Sequence, residues 1–471
     1  MFKRERLPVF ILLLVALVMR VHDIFITDLH VWDGSTYIGI GKWFFSHGQV
    51  GYFETFRPIV LPLFEGVFWK LHIDTLVGGA VIAVFASLAI IALIYAIGER
   101  MQKNAGLIGA TLIAFTPVFL LYSHITMSDV FSTAFMLLGL YFVTKEKYFL
   151  SGLFVGLGML TRFPQGLATV VLGLAVIIIH YRAYRFSKIG IFFRQAALTL
   201  LGFLVMTVPY FLWTGHLFGD PLLPMKEGNA IIAFSPHIYN RGNMFYIKTL
   251  FTNNPFFLFS LFGLGYVAID LVRRKKISMQ AIMFALGLVI YGTYFTFAQP
   301  HKELRYSLPW LPFVAGLSGY VLARILDRAP RIGQAGVYTV LAVAAIGLSV
   351  GYYTHTDFTF SPIRTAFYAY FDTAPYGTTV IATEPMSYGR GDTKLLAPMY
   401  GSWADALEKY KREKNNAQYV SIDSCVLESA CSVDANCLDG KMEILNDLEQ
   451  HATKVFHGEE PQCTLSIYKL K

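Results

Sequence analysis

The sequence predicts an α-helical polytopic membrane protein with about eleven spans, followed by a small α/β domain outside the cytoplasm. Three observations lead there. Hydrophobic residues make up 55% of the 471 positions and charged residues only 15%, against about 25% charged in soluble proteins. The apolar residues fall into runs of spanning length, about 20 residues each. Lys and Arg gather in the short connections between alternate runs, as they do on the inner side of membrane proteins.

The runs are 7–27, 75–97, 105–121, 126–143, 148–162, 164–180, 195–213, 255–272, 278–297, 306–325 and 334–353. The first follows Lys3, Arg4 and Arg6. No small-residue cleavage site follows it and further runs do, so it reads as an uncleaved helix. With the N-terminus inside, the inner connections carry Arg100 and Lys103, then Lys145 and Lys147, then Arg182, Arg185, Lys188 and Arg194. Arg273 to Lys276 come next, and last Arg324, Arg328 and Arg331. An odd number of spans leaves the C-terminal stretch outside. The net charge of +8 is thereby explained by topology, and no basic groove suggests nucleic acid.

Two outer connections are long. The first, about 28–74, contains Lys42–His47 and Leu61–Leu71, Trp- and Phe-rich amphipathic stretches expected to lie in the membrane interface. The second, 214–254, is rich in His, Tyr, Asn and Pro. The division expected is 1–353 for the membrane part and 354–471 for the outer domain. Within the latter, Val380–Thr383, Tyr419–Ile422 and Thr464–Tyr468 read as strands; Trp403–Lys414 and Lys441–His451 read as helices. All four cysteines, Cys425, Cys431, Cys437 and Cys463, lie here, and two disulfides are expected in an oxidising compartment.

Ionisable groups near the membrane are costly and therefore candidates for function. Four places stand out, all on the outer side. Asp33 follows the first span within a few residues and suits a general base. Arg57, with Glu54 just before it, suits a phosphate. Arg162 ends a short Gly-rich run. The segment His301-Lys302-Glu303-Leu304-Arg305 concentrates donors, with His301 and Arg305 at helical spacing and Glu303 to orient them.

Arg20, Asp33, Tyr37, the stretch Trp43 to Gly48, Arg57-Pro58 and Pro62 resemble the first half of the GT-C glycosyltransferase superfamily. Within it the pattern is similar to aminoarabinose transferases and protein O-mannosyltransferases. His301 to Tyr306 resembles the His-Lys-Glu-x-Arg-Phe motif of dolichol-phosphate-mannose-dependent mannosyltransferases. Gly152 to Arg162 resembles the superfamily's Gly-rich short span. The resemblance, over about 7–325, implies an inverting sugar transfer, mannosyltransferase-like, from a polyprenyl- or dolichyl-phosphate donor at the cell membrane. The acceptor would be a glycan, glycolipid or protein. Asp33 would be the base. Arg57, Arg162, His301, Lys302 and Arg305 would hold the donor phosphate, supported by Glu54, Tyr37 and Glu303. No cofactor is implied, and the metal question leans towards none. One departure is Gly34, where the family often has a second acid after the first. A transporter or flippase would instead place its charges along a path near the midplane. A scaffold or receptor would not bring Asp33, Arg162 and His301 together.

Overall fold

The computed structural model describes residues 7–185, 188–234, 241–273, 275–400, 402–428 and 438–471. Lys3, Arg4, Arg6, Arg274, Cys431, Cys437 and part of the second outer connection, 235–240, lie outside the described residues. Seven helices among the described residues are long and apolar enough to cross a membrane: Leu7–Ile26, Thr75–Gly98, Phe163–Arg182, Ile189–Phe218, Pro255–Val272, Met279–Ala298 and Gln334–His355. Ala105–Ala114, Ser128–Val143 and Tyr148–Thr161 are shorter apolar helices. Leu311–Arg328 is almost wholly enclosed by its neighbours. Each apolar run of the sequence is thus helical.

The run 105–121 breaks in two. Pro117 has no N–H to continue the ladder, so a second helix, Pro117–Leu121, starts there. The amide of Asn254 fills the break by donating to Leu112 O at 3.3 Å and Thr116 Oγ1 at 3.0 Å. The first outer connection forms helices Trp32–Phe45 and Val60–Lys70. Among its described residues the second forms helices Leu223–Phe234 and Phe245–Asn253.

Lys42 corrects one expectation. It does not lie in the membrane interface; it is fully buried beneath the C-terminal part. Its ammonium donates to Arg390 O at 2.9 Å and Gly391 O at 2.8 Å and pairs with Asp392 at 3.3 Å. Trp69 Nε1 donates to the same carboxylate at 2.8 Å. The outer helices are therefore a platform on which the C-terminal part sits.

That part holds a five-stranded sheet, β1 (Thr378–Ala382), β2 (Thr393–Pro398), β3 (Tyr419–Asp423), β4 (Ala452–Glu460) and β5 (Cys463–Leu470), in the order β2-β1-β3-β5-β4. β1 runs parallel to β2 and β3; β5 is antiparallel to β3 and β4. Helices Trp403–Glu413 and Lys441–His451 cover one face through Trp403, Tyr410, Ile444 and Leu448. Cys425 and Cys463 form a disulfide with Cα atoms 5.1 Å apart. At the other edge of the sheet, Gly51 of the first outer connection bonds to β2: Gly51 N–H to Thr393 O at 2.7 Å, and Leu395 N–H to Gly51 O at 3.1 Å.

Candidate active site

Four segments distant in sequence meet at Asp33. The carboxylate opens the helix Trp32–Phe45. Arg57 Nη2 donates to its Oδ1 at 2.9 Å, and Arg305 Nη1 donates to its Oδ2. Each guanidinium has a second acid. Arg57 Nε bonds Glu54 at 2.7 Å, and Arg305 bonds both oxygens of Glu303 at 2.6 and 2.8 Å. His301 Nε2 lies 2.5 Å from Glu303. Tyr37 lies beneath Arg57, with the guanidinium 5.1 Å from its ring centre. Its hydroxyl is 2.8 Å from Ser128 Oγ. Tyr306 carries Arg162 at 4.7 Å and Arg305 at 5.4 Å over its ring. Asp33 and these arginines keep only 12–15% of their side-chain surface exposed.

The electrostatics follow from this packing. Burial alone would raise the Asp33 carboxyl; Arg305 and Arg57 outweigh it and hold the group below the usual carboxylate range. Glu303 is also held low: burial opposes, but the His301 bond and the Arg305 charge prevail. Glu54 goes the other way, burial winning over Arg57. Charges in so dry a place act through a reduced effective dielectric, so each pairing is far stronger than on an open surface.

Of the residues expected at the site, Asp33, Tyr37, Glu54, Arg57, Arg162, His301, Glu303 and Arg305 come together. Lys302 does not join them. The helical spacing proposed for His301 and Arg305 is not used either. Glu303 is extended (φ −109°, ψ 151°), and a single tight turn, Leu304–Ser307, follows it. Successive side chains of an extended segment point to opposite sides. His301 and Glu303 bond each other, and Lys302, between them in sequence, donates instead to Gln299 O at 3.1 Å. Before this segment the helix Met279–Thr293 loosens into one π-helical turn, Tyr294–Ala298, a form often found beside functional sites.

Asp129 was missed. It is fully buried and pairs with Arg162 Nη1 at 2.8 Å. The signal was there, since an acid in the first turn of an otherwise apolar span is a candidate for function by its cost alone. The departure at Gly34 also has a physical cause. A Cβ there would stand 2.6 Å from Thr126 O, so no second acid fits beside Asp33. Elsewhere, Asp423, Cys425 and Cys463 bring potential metal ligands within 4.8 Å of one another. Both sulfurs are consumed by the disulfide, and Arg364 takes Asp423 at 2.7 Å.

A family model described as dolichyl-phosphate-mannose-protein mannosyltransferase matches residues 56–213. The fold is similar to that of ArnT from Cupriavidus metallidurans bound to undecaprenyl phosphate, with TM-score 0.68 and 12% identity over 98% of this chain and 97% of that one. ArnT in the apo state gives 0.63 at 14% identity over the same shares. The arabinofuranosyltransferase AftD from Mycobacteria gives 0.54 at 13% identity, over 99% of this chain and 40% of that one. No curated protein sequence matches. The chain is thus a multi-pass membrane protein that shares the fold of ArnT along nearly its whole length and matches the mannosyltransferase family model over residues 56–213.

Proposed function

We propose that the chain is an inverting glycosyltransferase that moves a sugar, of the mannosyl kind, from a polyprenyl-phosphate donor to an acceptor hydroxyl outside the cytoplasm. The observation that carries this reading is the grip of Arg57 and Arg305 on Asp33 from two distant segments. Undecaprenyl phosphate in the ArnT structure supports the lipid class. The basic inner connections support a cytoplasmic N-terminus and an outer C-terminal unit, 354–471, at the cell membrane. That unit, resting on the platform, shapes acceptor choice.

Asp33 removes the acceptor's hydroxyl proton. The oxygen attacks the anomeric carbon, and the bond from that carbon to the phosphate oxygen breaks on the opposite face. The electron pair leaves with the phosphate, where prearranged guanidiniums meet the new charge. A carboxylate bonded to two arginines is a weak base. A donor phosphate that draws Arg57 and Arg305 towards itself relieves Asp33 and raises its basicity, so donor binding switches on the base. Arg162, on Tyr306 and Asp129, holds the wall beside them.

The test uses membranes containing the full chain and synthetic polyprenyl-phosphate hexoses. Release of polyprenyl phosphate is expected from wild type, and a loss of roughly 10²–10⁴-fold from Asp33→Asn at equal insertion. Undiminished release by the variant removes Asp33 as base. No release by wild type from any such donor overturns the reading.

A further inference from the structure

His30 lies three residues before Asp33, where the first outer connection meets the C-terminal unit, and it is almost fully buried. Its Nδ1 is 2.8 Å from Asp28 Oδ1, and its backbone N–H donates to the same oxygen at 3.1 Å. Asp28 ties the two parts together. Thr365 Oγ1 donates to its Oδ2 at 3.0 Å, and its own N–H donates to Phe358 O at 2.7 Å. A carboxylate beside Nδ1 fixes the imidazole with that nitrogen protonated, which leaves a lone pair on Nε2. Nε2 is buried and has no hydrogen-bond partner among the described residues. Asp372 Oδ1 is in the same state. Asp372 stands in the turn after the helix Pro362–Ala369, its N–H on Ala369 O at 3.0 Å. Tyr368 of that helix lies against His30, with ring centres 6.3 Å apart. Among charged neighbours, His30 acts on Asp372 more than any other. Two buried acceptors cannot satisfy each other; one added proton turns one of them into a donor.

We propose that His30 and Asp372 share one proton and so form a pH-responsive latch between the segment that leads to Asp33 and the start of the C-terminal unit. The surrounding charges favour a proton over a metal ion. Arg390 lies 3.9 Å from Asp372 Oδ2 and Lys42 also acts on it, so a divalent cation would meet two positive groups. Those two have acids of their own, Asp74 at 2.9 Å from Arg390 and Asp392 at 3.3 Å from Lys42. On the side of the helix, Arg364 donates to the Tyr368 hydroxyl at 2.8 Å and is itself held by Asp423 and Glu460. Burial holds the Asp372 carboxyl above its ordinary 3.8, against the charges of His30, Arg390 and Lys42. A raised value in the closed state means that closure takes up a proton. Its contribution is full below pH 3.8 and is lost as pH rises through the raised value. The latch therefore holds in acid and loosens locally towards alkaline pH, three residues from the candidate base. This device is independent of the donor and the sugar.

The test is amide hydrogen exchange of the full chain in nanodiscs, corrected for the intrinsic effect of pH and read over residues 28–33 and 366–374. In wild type the opening equilibrium of both segments is expected to rise roughly tenfold between about pH 5.5 and about pH 8. Asp372→Asn places an amide donor opposite Nε2 and should keep both segments closed at either pH. His30→Gln should also lose the pH dependence. A wild-type opening that ignores pH overturns the proposal, and so does a slope retained in both variants. Zn²⁺ that restores full protection at about pH 8 in wild type but not in His30→Gln makes this a metal site and overturns the proton assignment. Sugar transfer from the lipid donor is a separate measurement, so either reading can fail without the other.

Discussion

Asp23 and Asp33 lie ten residues apart, on either side of the outer end of the first helix, and the chain treats them differently. Asp23 is fully buried. Tyr353 donates to it at 2.7 Å and Tyr352 at 3.4 Å, and His124 lies 3.8 Å away. Arg20, one turn earlier, spends its donors on the carbonyls of Ala16 and Ala114. All these partners are short or sealed, so the cluster is a pin joining the first and last spanning helices. Asp33 keeps 15% of its side chain open and is bound by the ends of long arginines. Both acids are satisfied. Only the second, with both arginines that hold it, stays partly open.

The comparison breaks if the two acids respond alike to mutation. The largest effect expected is on turnover: Asp33→Asn should cost roughly 10²–10⁴-fold and move the melting temperature less than a change at Asp23. Next is Arg162→Ala, which leaves the buried Asp129 without its cation. A loss of about 3–5 kcal/mol is expected, read by thermal unfolding in detergent, with Arg162→Lys recovering part of it. Asp23→Asn strips an acceptor from the tyrosine hydroxyls and should cost about 1–3 kcal/mol. Undecaprenyl-phosphate affinity should stay as in wild type; a large loss of affinity would make Asp23 part of the site.

The smallest effect concerns a third buried acid, Glu384, under the sheet. Burial pushes its carboxyl up to about 8, against the hydrogen bonds from Met386 N and Ser421 Oγ. A raised folded pKa means the folded state holds the proton more tightly. That contribution is full below the ordinary value of 4.5 and is lost as pH rises through 8. Glu384→Gln should therefore melt with a flatter dependence between about pH 5 and about pH 9. An identical slope in wild type would remove Glu384 as its source.

The spanning helices were legible because bilayer length and apolar composition are properties of single segments. Asp33, Arg57, Arg162 and Arg305 were legible because a charge flanking an apolar run is conspicuous. Asp129 was passed over because its neighbours continue the run on both sides. Lys302 was grouped with His301 and Arg305 by the density of donors in one short segment, and the helical spacing of the latter two fails because Glu303 is extended before a single tight turn. Strands β2 and β4 were missed for a related reason. They are the outer members of the sheet, and β4 is largely exposed and carries Lys454, Glu459 and Glu460. Charged residues of that kind protect an open strand from pairing with strangers, and they also hide it from a search for apolar alternation. Two of the four cysteines, Cys425 and Cys463, are joined because the last strand returns beside the end of β3, a pairing that long-range topology decides.

The opposite border of that sheet is closed by Gly51, which lends one peptide unit to β2. With φ at +79°, and room for no Cβ because Gly39 O would be 2.1 Å away, no other residue can stand there. The C-terminal lobe is thus completed by a piece of the membrane-spanning half. Expressed alone, that lobe would carry a raw, unpaired β2, ready to recruit a neighbouring copy; attached, it is moored and cannot swing clear as a free cap.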